Sequence, residues 1–126
     1  MPANIANLSA GGGTPQVEII VGHAQFASFE FFLYDANGRN PRKFGEGVNS
    51  DTIPDIFPIN NPAPVSALNN HTIFWRAAAA SPTGGPSEKY AFFIRVLQDG
   101  AIAGTDSRTG LVTDTPPSGF IRLVVR

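Results

Sequence analysis

The chain has 126 residues, a length that fits one domain with a core of ordinary size. Its formal charge is −1 and only 15% of its residues are charged, so no strong field is available to attract nucleic acid or an anionic membrane. Cysteine is absent, which excludes disulfides and thiolate zinc sites, and no apolar run approaches the length needed to span a bilayer.

Residues 1–14 are predicted to form an N-terminal arm, flexible or docked on a surface, that precedes a single β-sandwich domain at residues 15–126. The arm is weakly apolar and ends in three consecutive glycines, a composition typical of chain that is ordered only where it docks. It contains neither a basic region nor a sustained apolar region, so no conventional secretion signal is evident. We therefore expect a cytoplasmic protein, and export by a route without such a signal stays open.

Apolar residues at every second position predict β-strands, because side chains alternate between the two faces of a strand. The strongest pattern is the aromatic run at 26–34, in which Phe29, Phe31 and Leu33 share one face. Strands are predicted, in chain order, at residues 16–21, 25–34, 71–78, 89–97, 101–104 and 120–125, with weaker patterns at 43–48 and 51–58.

Turn residues punctuate these runs. Asp35-Ala-Asn-Gly38 and Asp99-Gly100 favour hairpins, because Asp, Asn and Gly tolerate the positive φ that tight turns need. A single helical turn near residues 65–68 is the most helix that the pattern suggests. The sequence therefore predicts an all-β fold, an antiparallel β-sandwich of about seven or eight strands with Greek-key or jelly-roll-like connections and no substantial helix; a small closed β-barrel is the alternative.

The predicted core collects the inward residues of both sheets. It comprises Val17, Ile19, Phe29, Phe31, Leu33, Ile73, Trp75, Phe92, Ile94, Leu123 and Val125.

Three strands repeat a Phe-x-Arg pattern that places both side chains on the face opposite the core, and the aromatic strand adds a related Glu and Phe. The predicted outer Phe/Arg surface consists of Glu30, Phe32, Phe74, Arg76, Phe93, Arg95, Phe120 and Arg122. Leaving a phenylalanine exposed costs about 1.5–3 kcal/mol relative to burying it, so we expect this surface to be covered. Loops of the same chain with arginine stems on the rings, another protein copy or partner, and a ligand are the three open possibilities.

Candidate residues for catalysis or metal binding are few. His23 and His71 each begin a strand, and a zinc site would need both together with a carboxylate; polar residues beside turns are the commoner interpretation. Asn49, Asp51 and Asp55 form a candidate ligand loop that calcium would suit. A Gly-x-Ser-x-Gly nucleophile elbow is absent. We therefore assign no catalytic residue, cofactor or metal site.

These observations favour a non-enzymatic protein that acts by self-assembly or by binding another protein through the outer Phe/Arg surface. A carbohydrate-binding, lectin-like module, with or without calcium, is the alternative, with Tyr34, Trp75 and Tyr90 as candidate ring platforms. A small hydrolase built on one of the histidines is a third and less favoured hypothesis.

Overall fold

A computed structural model describes residues 4–22, 26–49, 53–59, 64–80 and 88–126. Its strands, in chain order, are β1 (Asn4–Leu8), β2 (Gln16–Gly22), β3 (Phe26–Tyr34), β4 (Arg42–Asn49), β5 (Asp55–Pro58), β6 (Thr72–Ala80), β7 (Lys89–Gln98), β8 (Ala101–Leu111) and β9 (Ser118–Val125). The helical turn predicted near residues 65–68 is present as a 3-10 segment, Val65–Leu68. Within the described ranges, no helix is long and apolar enough to cross a membrane.

The strands form two packed sheets. The five-stranded sheet has the order β1-β9-β6-β3-β4, and the four-stranded sheet has the order β5-β2-β7-β8. Neighbouring strands pair antiparallel except β1 and β9, which are parallel. The predicted all-β sandwich is confirmed. The closed-barrel alternative is wrong, because the two sheets stay separate and face each other.

The core lies between the sheets, where inward side chains from both meet. Trp75, Phe31 and Phe92 are its largest fully buried members. All the predicted core residues are buried except Val125, which is partly buried and packs against the others. The period of two in the sequence therefore identified the inward faces correctly.

Phe57 of β5 extends the core toward β4. Its ring lies 5.6 Å from that of Phe31 and 6.0 Å from that of Phe29, measured between centroids. Gly45 permits this approach, since a Cβ there would lie 2.7 Å from the Phe57 ring. A glycine on β4 thus lets an aromatic side chain of one sheet pack over the edge of the other.

Both predicted hairpin turns are present. Gly38 and Gly100 have φ values of +72° and +79°, the left-handed region that glycine enters without strain. The Asp35 carboxylate accepts hydrogen bonds from the backbone N–H groups of Asn37 and Arg39, at 3.0 and 2.9 Å. The first turn joins β3 to β4 in the five-stranded sheet, and the second joins β7 to β8 in the four-stranded sheet.

Residues 4–13 of the N-terminal arm pack on the sandwich. β1 pairs with β9, and its Ala6 and Leu8 side chains are buried in the core. Beyond β1, the Gln98 side chain accepts the N–H of Ser9 at 2.8 Å and donates to the carbonyl oxygens of Ser9 and Gly13 at 2.9 and 3.1 Å. The arm therefore docks on its own chain.

Strand β8 is longer than predicted. The sequence pattern indicated a strand at 101–104 followed by a loop, whereas β8 continues to Leu111. Its later residues are polar, a composition more typical of a loop than of a strand. Those that point outward at every second position are Thr105, Ser107 and Thr109.

Candidate protein-binding surface

An aromatic row crosses the outer face of the five-stranded sheet. Phe32 on β3 lies opposite Phe74 on β6, and Phe74 lies opposite Phe120 on β9. The ring centroids are 6.1 Å apart in the first pair and 5.0 Å apart in the second. Phe32 and Phe74 are half-buried, whereas Phe120 is 50% exposed. We call these three residues the aromatic row; its exposure is greatest at β9.

A row of charges of alternating sign runs beside the aromatic row. The Glu30 carboxylate binds Arg76 Nε through one oxygen and Lys43 Nζ through the other, both at 2.8 Å. Lys43 Nζ also lies 3.1 Å from Glu46. We call Glu46, Lys43, Glu30 and Arg76 the charged row. Exposed ion pairs contribute at most about 1 kcal/mol each, so this row adds little stability. Its ion pairs hold the four charged side chains in a defined order on the surface.

The ion pairs shift the protonation of the two central groups. Hydrogen bonds from Lys43 and then Arg76 lower the pKa of the Glu30 carboxyl, and the hydrogen bond to Glu30 raises the pKa of the Lys43 ammonium. Both groups are therefore charged at neutral pH.

Part of the expected cover for the aromatic row comes from the charged row. The guanidinium carbon of Arg76 lies 5.3 Å from the centroid of the Phe32 ring, and Lys43 Nζ lies 5.8 Å from it. Both distances suit cation–π contacts. Cationic side chains of the same chain thus lie on Phe32, as one of the three possibilities anticipated, while Phe120 stays half-exposed among the described residues.

A groove on the same face begins at the charged row, with Glu30, Glu46 and Arg76 among its lining residues, and extends away from the aromatic row. It has a volume of about 700 Å³ and adjoins a second depression of about 500 Å³. The groove exists because β3 and β6 carry only the small residues Ser28 and Ala78 there, between larger residues. Val48, which is 80% exposed, and Pro116 and Pro117 form its sides.

Phe93 and Arg95 do not belong to this surface. They lie on β7, which pairs with β2 and β8 in the four-stranded sheet. Phe93 is exposed on the outer face of that sheet, and Arg95 lies 3.6 Å from Glu18. The Phe-x-Arg pattern shows which face of a strand a side chain occupies, but it carries no information about which sheet the strand joins.

Arg122 lies on the outer face of β9, on the side of the aromatic row away from the charged row. Its Nη2 donates to Asn70 Oδ1 at 3.1 Å. Arg122 therefore borders the surface and bonds to Asn70, outside the ion pairs that Glu46, Lys43, Glu30 and Arg76 form.

The candidate ligand loop is tied together by its own side chains. Asn49 Nδ2 donates to Asp55 Oδ2 at 2.6 Å and to the carbonyl oxygen of Ile53 at 3.0 Å. Asp51 lies outside the described residues. An amide donor on the Asp55 carboxylate occupies an oxygen that a cation would need. In the described part of the chain, no cluster of three or more His, Cys, Asp or Glu residues could hold a metal ion.

The other candidate residues named from the sequence form no site of their own among the described residues. His71 precedes β6, with Nδ1 3.5 Å from the carbonyl oxygen of Asn69, and lines neither depression described above. His23 lies outside the described residues. Trp75 and Tyr90 are buried, so neither ring is offered to a ligand, and Tyr34 is half-buried with its ring edge-on to Phe74.

Sequence reasoning missed a buried polar cluster that links the two sheets. Asp106 of β8 accepts the indole N–H of Trp75 at 2.8 Å and forms an ion pair with Arg108. The Arg108 guanidinium lies 5.7 Å from the Trp75 ring. The alternating polar residues Thr105, Ser107 and Thr109 could have indicated that β8 continues, but they carry no sign that Asp106 is buried. The carboxylate is paired on both sides, so the cluster acts as a cross-sheet connection.

No family model, curated protein or solved structure matches this chain. The outer face of the five-stranded sheet is consequently the feature from which function can be argued. Aromatic residues and arginine are enriched at protein interfaces, where rings supply apolar contact and charges fix orientation. The aromatic row, the charged row and the groove together provide these elements on one face.

Proposed function

We propose that this protein acts without catalysis, by binding protein through the outer face of the five-stranded sheet, with either another copy of the chain or a different protein as the partner. The half-exposed aromatic row beside a fixed charged row is the observation that carries the proposal. Burying a phenylalanine contributes about 1.5–3 kcal/mol, so a partner that covers Phe120 gains roughly half of that from this ring alone.

The groove supports the same conclusion. Small side chains at Ser28 and Ala78 let another polypeptide approach the sheet closely, while Val48 and the two prolines at its sides offer apolar contact. Glu30 and Arg76 of the charged row lie between the small residues of the groove and the aromatic row. A partner would therefore meet two apolar regions and a line of charge between them, an arrangement that gives orientation as well as affinity.

Site-specific photo-crosslinking tests the proposal in the cells that produce the protein. A photoreactive phenylalanine analogue replaces Phe120 in one variant and Phe93 in another, because both rings are exposed and lie on the outer faces of different sheets. We expect light-dependent crosslinked species from position 120 and few from position 93. Circular dichroism of both purified variants checks that the fold is retained.

Either of two results would overturn the proposal. One is the absence of any crosslink, to itself or to another protein, from position 120. The other is an equal yield from positions 120 and 93, which would indicate indiscriminate contact with exposed rings.

A further inference from the structure

We propose that the partner on this face is a second copy of the same chain, related by a two-fold axis that runs parallel to the strands between β3 and β6. This inference rests on the proposed function, since it names the occupant of the same surface. The observation behind it is that the two central strands carry complementary residues at each facing position.

A two-fold axis in the plane of an interface exchanges the left and right halves of the two touching faces. With the axis between β3 and β6, each residue of β3 lies over the β6 residue that is its cross-strand partner, but in the other copy. Interfaces of this kind are self-complementary, and the two-fold dimer is the commonest oligomer. The facing pairs are Phe26 with Ala80, Ser28 with Ala78, Glu30 with Arg76, Phe32 with Phe74, and Tyr34 with Thr72.

Charge is complementary across this axis. The Glu30 carboxylate of each copy lies over the Arg76 guanidinium of the other, so the same acid and base meet twice. A guanidinium has five N–H donors and a carboxylate about four acceptor positions, so the pair within one chain at 2.8 Å and the pair across the axis can form together. Any in-plane two-fold axis that brought Glu30 over Glu30 would instead juxtapose like charges.

Shape is complementary as well. Phe26, which is 52% exposed, lies over Ala80, where the small side chain leaves room for the ring. Ser28 lies over Ala78, so the two sheets can approach closely along the groove. A large residue facing a small one at one position, and small facing small at the next, suits interdigitated packing of sheet faces.

The same axis exchanges the flanking strands β4 and β9. Lys43 aligns with Phe32 on one side and Phe120 aligns with Phe74 on the other, so Lys43 of one copy lies over Phe120 of the other. A cation–π contact would then cover the most exposed ring of the aromatic row. In the same arrangement, Val48 of one copy lies over the segment near Pro117 that leads into β9 of the other copy.

The face also approaches the size of a standard interface. The axis gives four strands a counterpart in the other copy, namely β9, β6, β3 and β4. At about 4.8 Å apart and about 28 Å long, these strands have a projected area of about 540 Å², and the accessible area of a corrugated face is larger. A standard interface buries about 800 Å² per partner.

Charge reversal in trans provides the test. Glu30→Arg places like charges opposite each other in a dimer of that variant, and Arg76→Glu does the same with opposite sign. We expect each variant alone to dimerise at least about 100-fold more weakly than wild type, because facing like charges oppose association. An equal mixture of the two should regain the dimer, since each base then faces an acid of the other copy.

Light scattering after size exclusion measures the result, with a dimer at twice the chain mass of 13.4 kDa. Phe93→Ser is the control and should behave as wild type. Ala78→Arg offers a second route to disruption that leaves the ion pairs of the charged row in place. Circular dichroism confirms that each variant is folded.

A mixture that stays monomeric while wild type dimerises would overturn the two-fold arrangement. A wild type that is monomeric at about 100 µM would overturn self-association itself, because stable dimers have dissociation constants far below that concentration. If position 120 still crosslinks to a different protein in that case, the proposed function stands and only this inference fails. If it crosslinks to nothing, both fail.

Discussion

A single hydrogen bond shows how individual residues set the relation between the two sheets. Trp75 belongs to the five-stranded sheet and Asp106 to the four-stranded sheet, yet the indole N–H reaches the carboxylate at 2.8 Å in the core. An unpaired buried polar group costs about 1–3 kcal/mol, so breaking this bond within the core would leave the Trp75 indole N–H unsatisfied, whereas Asp106 would keep Arg108. The pair therefore acts as a specific link within an otherwise apolar interface.

Gly119 makes room for this link, and Gly119→Ala tests it. A Cβ at position 119 would lie 2.7 Å from Trp75 Nε1 and would also press on Asp106 Oδ2. Both groups are buried and hydrogen-bonded to each other, so neither can move freely. We expect the free energy of unfolding to fall by about 2 kcal/mol, as for other overpacked core sites, when it is measured by urea denaturation.

Gly11→Ala is the matched control, because no atom lies within 4 Å of the Cβ it would add. Its free energy of unfolding should stay within about 0.5 kcal/mol of wild type, as at other unconstrained surface sites. Equal losses in the two variants would show that the Trp75–Asp106 link does not constrain position 119.

At the scale of single residues, the sequence predicts inward and outward faces well where the alternating residues are apolar. Phe29, Phe31 and Leu33 were assigned to the core from spacing alone and are buried there. Asp106 could not be found this way, because an acidic side chain is stable inside a protein only with partners. Its partner Trp75 is 31 residues away and in the other sheet, and spacing within one strand cannot reveal it.

At the scale of elements, the N-terminal strand depends on the β7–β8 hairpin as well as on its own pairing. The Gln98 side chain makes three hydrogen bonds to the backbone of Ser9 and Gly13, directly after β1 ends. β1 is short and lies at the edge of its sheet, so these bonds add to its pairing with β9 and to the burial of Ala6 and Leu8 in resisting fraying.

Gln98→Ala should therefore loosen β1 without unfolding the sandwich. Removing hydrogen bonds worth about 1–2 kcal/mol in total would speed exchange of the β1 amide hydrogens by about 5–30-fold. Hydrogen exchange followed by mass spectrometry on a peptide covering residues 4–10 measures this. Gln16→Ala, at an exposed position at the start of β2, is the control and should leave β1 exchange unchanged.

Unchanged protection of β1 in Gln98→Ala would show that pairing with β9 alone holds the strand. Faster exchange throughout the chain would instead indicate global destabilisation. Only a change confined to β1 and the residues after it supports the proposed role of Gln98.

Elements were predictable from the sequence individually, but their neighbours were not. The strand containing Phe93 was found, yet its place in the four-stranded sheet comes from pairing with β2, about 75 residues earlier in the chain. Similarly, β1 pairs in parallel with β9 at the other end of the chain. Such pairings are decided by which buried faces fit together, a property that local patterns do not contain. The sequence therefore predicted that these phenylalanines and arginines face outward, but it did not predict that Phe93 and Arg95 lie on the other sheet.

At the scale of the whole molecule, the protein has two separate apolar surfaces, both rich in aromatic residues. The inner faces of both sheets form one shared core, while the outer face of the five-stranded sheet keeps an aromatic row of its own. The first surface holds the fold together. The second lies outside it, so substitutions such as those at Phe120 should change association more than folding.

A shared core also predicts that the sheets unfold together. Trp75 is the only tryptophan, is fully buried on β6, and binds Asp106 of the opposite sheet, so its fluorescence reports separation of the sheets. Far-ultraviolet circular dichroism reports the strands themselves. Because neither sheet has a core of its own, we expect the two signals to change at the same urea concentration, as in two-state unfolding of a small domain. A fluorescence transition that came first would mean that the sheets separate while their strands persist, and the outer aromatic row would then have to stabilise the five-stranded sheet by itself.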